Sequence, residues 1–422
     1  MRLLTLALAA LPIAAAAQTP PAQPLPPSPP SGVAQPAPPP AALPAPGVTV
    51  ELGGWFVLNG FAGHGGLNAA DQPRFAVAAP DGESSLGMAV RQSRLRAGVG
   101  IPADGLVPGA RLRGLLELDF MGGYVASDAS LPIVRLRHAW VSAAWKDKGN
   151  LTLLLGQTWG VFTGPYFAAS LSHLATPRFA GAGFLYRRAP QLRLSGEVGS
   201  TAALLWTVAA LAPIDRATAT ASAVGVGERS GLPDVEGRLA VAVKAPVKLE
   251  VGVSGHWGQE KFQLVGPPPR NSTVDSIGYA VDARVETRFV TLVGAAFQGE
   301  NLDVWYSVAP GVRTTATTVD TVDTRGLWAQ AQVTPVKGFQ LLLGGGLEQP
   351  EREDLPATIP ATAGGTQTFS TPYDNKQASV AAVLNLASRW RVSAEGTRYW
   401  TKAVDGSRRN ASQFEVSSLV AF

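Results

Sequence analysis

The chain has 422 residues, 46% of them apolar and 16% charged, with a formal net charge of +4, 46 glycines, 34 prolines and no cysteine. So high an apolar fraction excludes a disordered chain. The lack of thiols excludes a disulfide scaffold and a thiolate metal site, and the small net charge gives no footprint for nucleic acid. The longest internal apolar run, Ala202 to Ile214, falls short of the roughly 20 residues a membrane helix needs. An apolar, sparsely charged chain without helical spans reads as all-β, a transmembrane antiparallel β-barrel.

In chain order, residues 1–17 carry Arg2, an apolar stretch from Leu3 and a small-residue exit at Ala15-Ala16-Ala17, the pattern of a secretory signal peptide cut before Gln18. Residues 18–46 hold 13 of the prolines and no charge. Proline fixes φ and lacks an N–H, so this Pro/Ala-rich segment is expected to be an extended periplasmic tether, a spacer or a reach toward a periplasmic partner. Residues 47–422 are expected to form the barrel.

From Val48 onward the sequence repeats stretches of about ten alternating residues separated by connections. In Val247 to Trp257 the odd positions are apolar or glycine, and the even ones include Lys248, Glu250, Ser254 and His256. A period of two puts the sets on opposite faces, lipid outside and water inside. Seven short connections (101–109, 146–150, 199–202, 244–246, 287–288, 335–338, 387–388) interleave with eight long ones (61–85, 121–133, 159–182, 213–234, 258–275, 301–324, 349–375, 401–411). Fifteen connections join sixteen strands, with short periplasmic turns and long outer loops. Phe184 to Val198 is read as one strand despite Pro190. Trp140, Trp206, Trp257, Tyr279 and Trp390 are expected in the aromatic belt of the lipid face. The last strand ends on Phe422, an aromatic terminus of the kind read by the barrel-insertion machinery.

Sixteen strands enclose a lumen too wide to fill with barrel side chains alone. Parity places Gln92, Arg94 and Arg96 inward on the second strand, Arg111, Arg113, Glu117 and Asp119 on the third, Arg135 and Arg137 on the fourth, and Arg187, Gln191, Arg193 and Glu197 on the sixth. One wall thus carries eight arginines against three carboxylates, an excess that favours small anionic solutes such as carboxylates. Elsewhere charges balance, with Glu236 beside Arg238, Lys248 beside Glu250, Asp282, Arg284 and Glu286 together, and Arg391 with Glu395. Arg91 falls on the outward parity, which calls for a bulge or a subunit contact. The third long loop, from Trp159 to Phe179, contains no Asp or Glu, but does contain Phe162, Tyr166, Phe167, His173 and Arg178. It is expected to fold inward as a constriction.

The segments Arg91-Gln92-Ser93-Arg94-Leu95, Leu116-Glu117-Leu118-Asp119-Phe120, Arg135-Leu136-Arg137-His138-Ala139-Trp140, Gly156-Gln157-Thr158-Trp159 and Tyr186-Arg187-Arg188-Ala189-Pro190-Gln191 occur in that order. Together they resemble the DcaP-like porins of Gram-negative outer membranes, over about residues 86 to 200. The resemblance implies a homotrimer of sixteen-stranded barrels in outer-membrane lipid, each constricted by its third loop, that admits small, often negatively charged solutes. The Pro/Ala tether departs from the helical, coiled-coil-like periplasmic segment of such porins.

No catalytic constellation is expected. His138 and Ser142 are read on the outward face of the fourth strand about 13 Å apart, too far to hydrogen-bond, and Gly225 to Gly231 has the wrong spacing for a dinucleotide fingerprint. No cofactor or metal is implied. The rival reading is a structural barrel with a closed lumen, linked to a periplasmic partner by the tether.

Overall fold

The computed structural model describes residues 47–102, 107–122, 133–214, 224–244, 246–360 and 368–422. The predicted signal peptide and tether lie outside these residues, as do parts of the first short turn and of the second, fourth and seventh long loops.

Sixteen strands close into one antiparallel barrel. They are β1 (Thr49–His64), β2 (Ser84–Ala89 with Arg94–Ile101), β3 (Arg111–Asp119), β4 (Arg135–Trp145), β5 (Leu151–Trp159), β6 (Arg188–Gly199), β7 (Ala202–Leu211) and β8 (Asp234–Val243). The second half comprises β9 (Lys248–Leu264), β10 (Arg270–Glu286), β11 (Val290–Glu300), β12 (Asp323–Val336), β13 (Phe339–Pro350), β14 (Pro372–Asn385), β15 (Trp390–Ala403) and β16 (Arg408–Ala421). Each strand pairs with its sequence neighbours. Closure comes from β1 against β16, in register from Trp55↔Ala421 to His64↔Ser412. Phe422 continues this seam: its N–H donates to the Gly54 carbonyl at 3.1 Å, and its ring stacks on Phe56 at 5.0 Å.

The alternation has its expected outcome over most of the wall. Leu52, Leu86, Val251, Val281, Phe414 and Val416 are exposed on the lipid-facing parity, as are Trp257, Tyr279 and Trp390 of the belt. Trp206 shares that parity and lies across Gly196, where an added Cβ would meet its ring at 2.7 Å.

Three boundaries differ from the sequence reading. The expected outer loops 258–275 and 401–411 shrink to 265–269 and 404–407, because β9, β10, β15 and β16 continue pairing beyond the lipid. There the outward positions turn polar, as at Gln259, Lys261, Thr273 and Asp275, so apolar alternation stops while the ladder goes on. The strand expected from Phe184 begins instead at Arg188. Phe184 and Tyr186 imitate strand alternation but pack in the lumen against Trp328 and Tyr306.

Two irregularities reset the inside–outside parity on the arginine-bearing wall. Between the halves of β2, residues 90–93 leave the ladder, which turns Arg91 inward onto Asp71 of the first loop. The predicted bulge accounts for the placement of Arg91. On β4 the register with β3 slips, with Glu117 opposite His138 but Leu118 opposite Leu136, so Arg137 is an extra residue. Beyond it the faces exchange. His138 contacts Glu117 and Thr158 on the lumen side, and Trp140, opposite Leu115, leaves the lipid belt to which simple alternation assigned it. The bulge frees two carbonyls, and the amide of Gln157 caps both, at 3.1 Å to Leu136 and 3.4 Å to Arg137. In a bilayer such groups need an internal partner.

Gly156 completes the joint, with φ +125° and a carbonyl of Ala139 2.2 Å from where a Cβ would sit. Gly156→Val is therefore expected to cost at least about 1–3 kcal/mol of folding stability, measured by urea titration of tryptophan fluorescence in micelles. A variant as stable as the parent would refute the close approach of β4 and β5.

Candidate pore constriction

The third loop, residues 160–187, folds into the barrel and follows its inner wall. What it lacks, the wall supplies. Glu236 of β8 accepts the N–H groups of Val161 and Phe162 at 2.5 and 3.2 Å. Glu395 of β15 accepts the Leu171 and Ser172 N–H groups at 2.8 and 2.9 Å and the Ser170 hydroxyl at 2.6 Å. Glu348 of β13 accepts the Gly183 N–H at 3.2 Å. Gln92 of β2 holds the Leu174 and Ala175 N–H groups with its oxygen and the Ser172 carbonyl with its amide. A loop that already contained carboxylates would meet these acids with repulsion, so its acid-free composition is complementary to the wall.

Arg178 is the keystone of this contact. It lies 2.8 Å from both Glu395 and Glu415, donates to Thr397 at 2.8 Å, and is 1% exposed. Burial alone would disfavour its charge, but the two carboxylates outweigh that and raise its pKa. His173 sits beside it with Nε2 3.3 Å from Glu415. Phe162 is equally buried, edge-on to Trp305 at 5.1 Å. Of the five loop residues expected at the constriction, Phe162, His173 and Arg178 are thus anchors. Tyr166 and Phe167 remain partly exposed. Tyr166 faces Arg238 and Arg284, 6.0 and 5.9 Å from its ring, and burial together with a hydrogen bond to Glu250 raises its phenol pKa, keeping it neutral.

Missing side chains make the sockets for the loop. A Cβ at Gly278 would meet the Phe162 ring at 2.5 Å, one at Gly344 the Phe179 ring at 2.8 Å, and one at Gly346 the Ala182 carbonyl at 2.0 Å. Sequence reading gave these glycines no role. Inward parity on the wall opposite an acid-free loop was the usable signal for both the sockets and the carboxylate anchors.

On the β2–β6 wall the arginines separate into two groups. Glu117 and Asp119 take the first: Arg137 lies 2.9 Å from Glu117 and 2.8 Å from Asp119, Arg135 reaches Asp119 at 2.6 Å, and Arg94 stands 3.4 Å from Glu117 while also donating to the Leu174 carbonyl. Three guanidiniums around two carboxylates leave an uncompensated positive charge. Arg187 is buried on Asp234 at 2.5 Å, a partner outside the predicted set. In the second group, Arg96, Arg111 and Arg113 are exposed and Arg193 bonds Gln191 and the Trp159 carbonyl, and none has a carboxylate within ion-pair distance among the described residues. Arg188, absent from the expected site, joins them. It lies over the Trp159 ring at 4.7 Å, with Arg137 at 5.5 Å from the same ring, and its Nη1 is buried without a partner among the described residues.

The opposite wall is neutral, as expected: Arg238 binds Asp282 and Glu250 at 2.5 and 2.8 Å, and Lys248 and Arg284 share Glu286. Glu395 is paired with Arg178, and Arg391 makes no ion pair among the described residues.

No protein-family model and no curated protein matches the sequence. Among solved structures, the chain is similar to the outer membrane channel DcaP of Acinetobacter baumannii, at a TM-score of 0.69 and 16% identity over 89% of this chain and 98% of that one. It shares the DcaP fold. An anion-selective porin from Comamonas acidovorans aligns at 0.51 and 15% over 89% and 100%. The trimer form of OmpT, an outer membrane protein of Vibrio cholerae, aligns at 0.50 and 12% over 89% and 99%.

Glu395→Ala should remove the loop's main acceptor and strand Arg178, costing about 3–5 kcal/mol and giving a larger, noisier single-channel conductance. A melting point and conductance equal to the parent's would show that Glu395 does not hold the loop.

Proposed function

We propose that the chain is an outer-membrane porin, a passive diffusion channel for small hydrophilic solutes that prefers anions such as mono- and dicarboxylates. The single observation that carries the preference is the cluster of Arg94, Arg135, Arg137 and Arg188 around only two carboxylates, beside the point where the third loop crosses the lumen. Guanidinium groups stay charged at any working pH and meet carboxylates through a planar fork. In a narrow, low-dielectric passage their field raises the local anion concentration. Arg96, Arg111 and Arg113 extend the same sign toward the periplasmic turns.

The supporting context is the fold shared with porins, among them a chain described as anion-selective and one in trimer form. We therefore read this protein as a homotrimer in outer-membrane lipid, exported by residues 1–17, tethered by residues 18–46, and inserted through recognition of Phe422. His138 is committed to Thr158 and Glu117, with Trp159 edge-on at 5.6 Å.

The test is the reversal potential of the purified protein in a planar bilayer under a potassium chloride gradient. Chloride preference is expected, moving toward cations in the double variant R135S/R188S by several millivolts or more. An unchanged potential would reduce the arginines to wall braces. A folded protein that conducts nothing would favour the closed structural barrel.

A further inference from the structure

Beneath the third loop the lumen wall loses its polarity. Val57, Leu342, Val383 and Leu419 point inward there, and the underside of the loop covers part of them with Leu171. The rest border a hollow of about 610 Å³ near the periplasmic turns, lined by Trp55, Leu171, Leu342, Val383, Leu419 and Arg391. These side chains form a buried apolar cluster with Leu171, and Gln340 and Asn385 line the same hollow beside them. Arg391 and Arg389 are exposed at the rim, with no ion pair among the described residues. A concavity with an apolar floor and the guanidiniums of Arg391 and Arg389 at its edge matches a ligand with an apolar body and an anionic head.

We propose that this hollow is a second solute subsite, on the periplasmic side of the third loop, for organic monoanions with an aliphatic or aromatic body. The carboxylate meets Arg391 and the body lies against Leu342, Val383 and Leu419. The subsite deepens the porin reading and rests on it for access through the lumen. It differs in chemistry from the arginine cluster above, which has no comparable aliphatic wall. It would slow amphipathic anions relative to acetate or chloride by holding them before exit.

The experiment is block of the potassium chloride current through the full protein by acetate, butanoate, hexanoate and octanoate, added from each side in turn. The half-blocking concentration should fall up to about fourfold per methylene and be lower from one side. R391Q should weaken the whole series by a common factor, and V383T/L419T should flatten the chain-length dependence. A conducting channel whose block ignores chain length, or is unmoved by these variants, overturns the subsite and leaves the porin reading standing. Calorimetry of octanoate with the detergent-solubilised protein reads the subsite without current, so a protein that fails as a channel still tests it. Equal affinity in parent and R391Q overturns the proposal there too.

Discussion

Within a bilayer no water is available to satisfy an unpaired backbone N–H or carbonyl, so a spanning sheet must have no edge. The pairing of β1 with β16, continued by Phe422 on Gly54, meets that requirement, and the remaining architecture depends on it. Closure fixes two faces with opposite solvents. It also means that any residue inserted into a strand must have its displaced backbone groups answered locally, which is what Gln157 does for the extra residue Arg137.

Inside the ring, electrostatics takes over from hydrophobicity as the organising term. The third loop has no acids and the wall has several. Buried carboxylates are costly unless each lone pair finds a donor, and backbone N–H groups of the loop, Arg178, Ser170 and Ser307 supply those donors. The loop is therefore held by polar matching as well as by the apolar packing of Phe162, Phe179 and Phe184. The small-residue positions Gly278, Gly344 and Gly346 let it come close enough for those bonds to form.

The fold was largely legible because period-two alternation is set by lipid, a uniform solvent that acts on every strand alike. The sixteen strands follow from the alternation of short and long connections, and the side occupied by Arg94, Arg135, Arg137 and Glu117 follows from parity. Parity failed at two places for one physical reason: a single extra residue reverses every side chain after it, and nothing in Arg135-Leu136-Arg137-His138 marks which residue is extra. Pairing was less legible than placement. Asp234 for Arg187 and Arg178 for Glu395 come from segments distant in sequence, so counting charges on one wall overstated how many arginines stand free. It also missed Arg188, whose position depends on where the loop ends and β6 begins.

The anchoring pattern of the third loop divides its residues by tolerance. Positions on either side of Tyr166 and Phe167 are committed, Phe162 to its aromatic socket and Ser170 to Glu395. Between them Thr163, Gly164 and Ala168 are closely fitted and Phe167 packs on Trp159 and Phe184, which leaves Pro165 and Tyr166 as the less committed positions. A barrel built this way separates the part that must be inherited intact from the part that meets the solute. Its permeability can diversify by point substitution at those two positions, without renegotiating the wall.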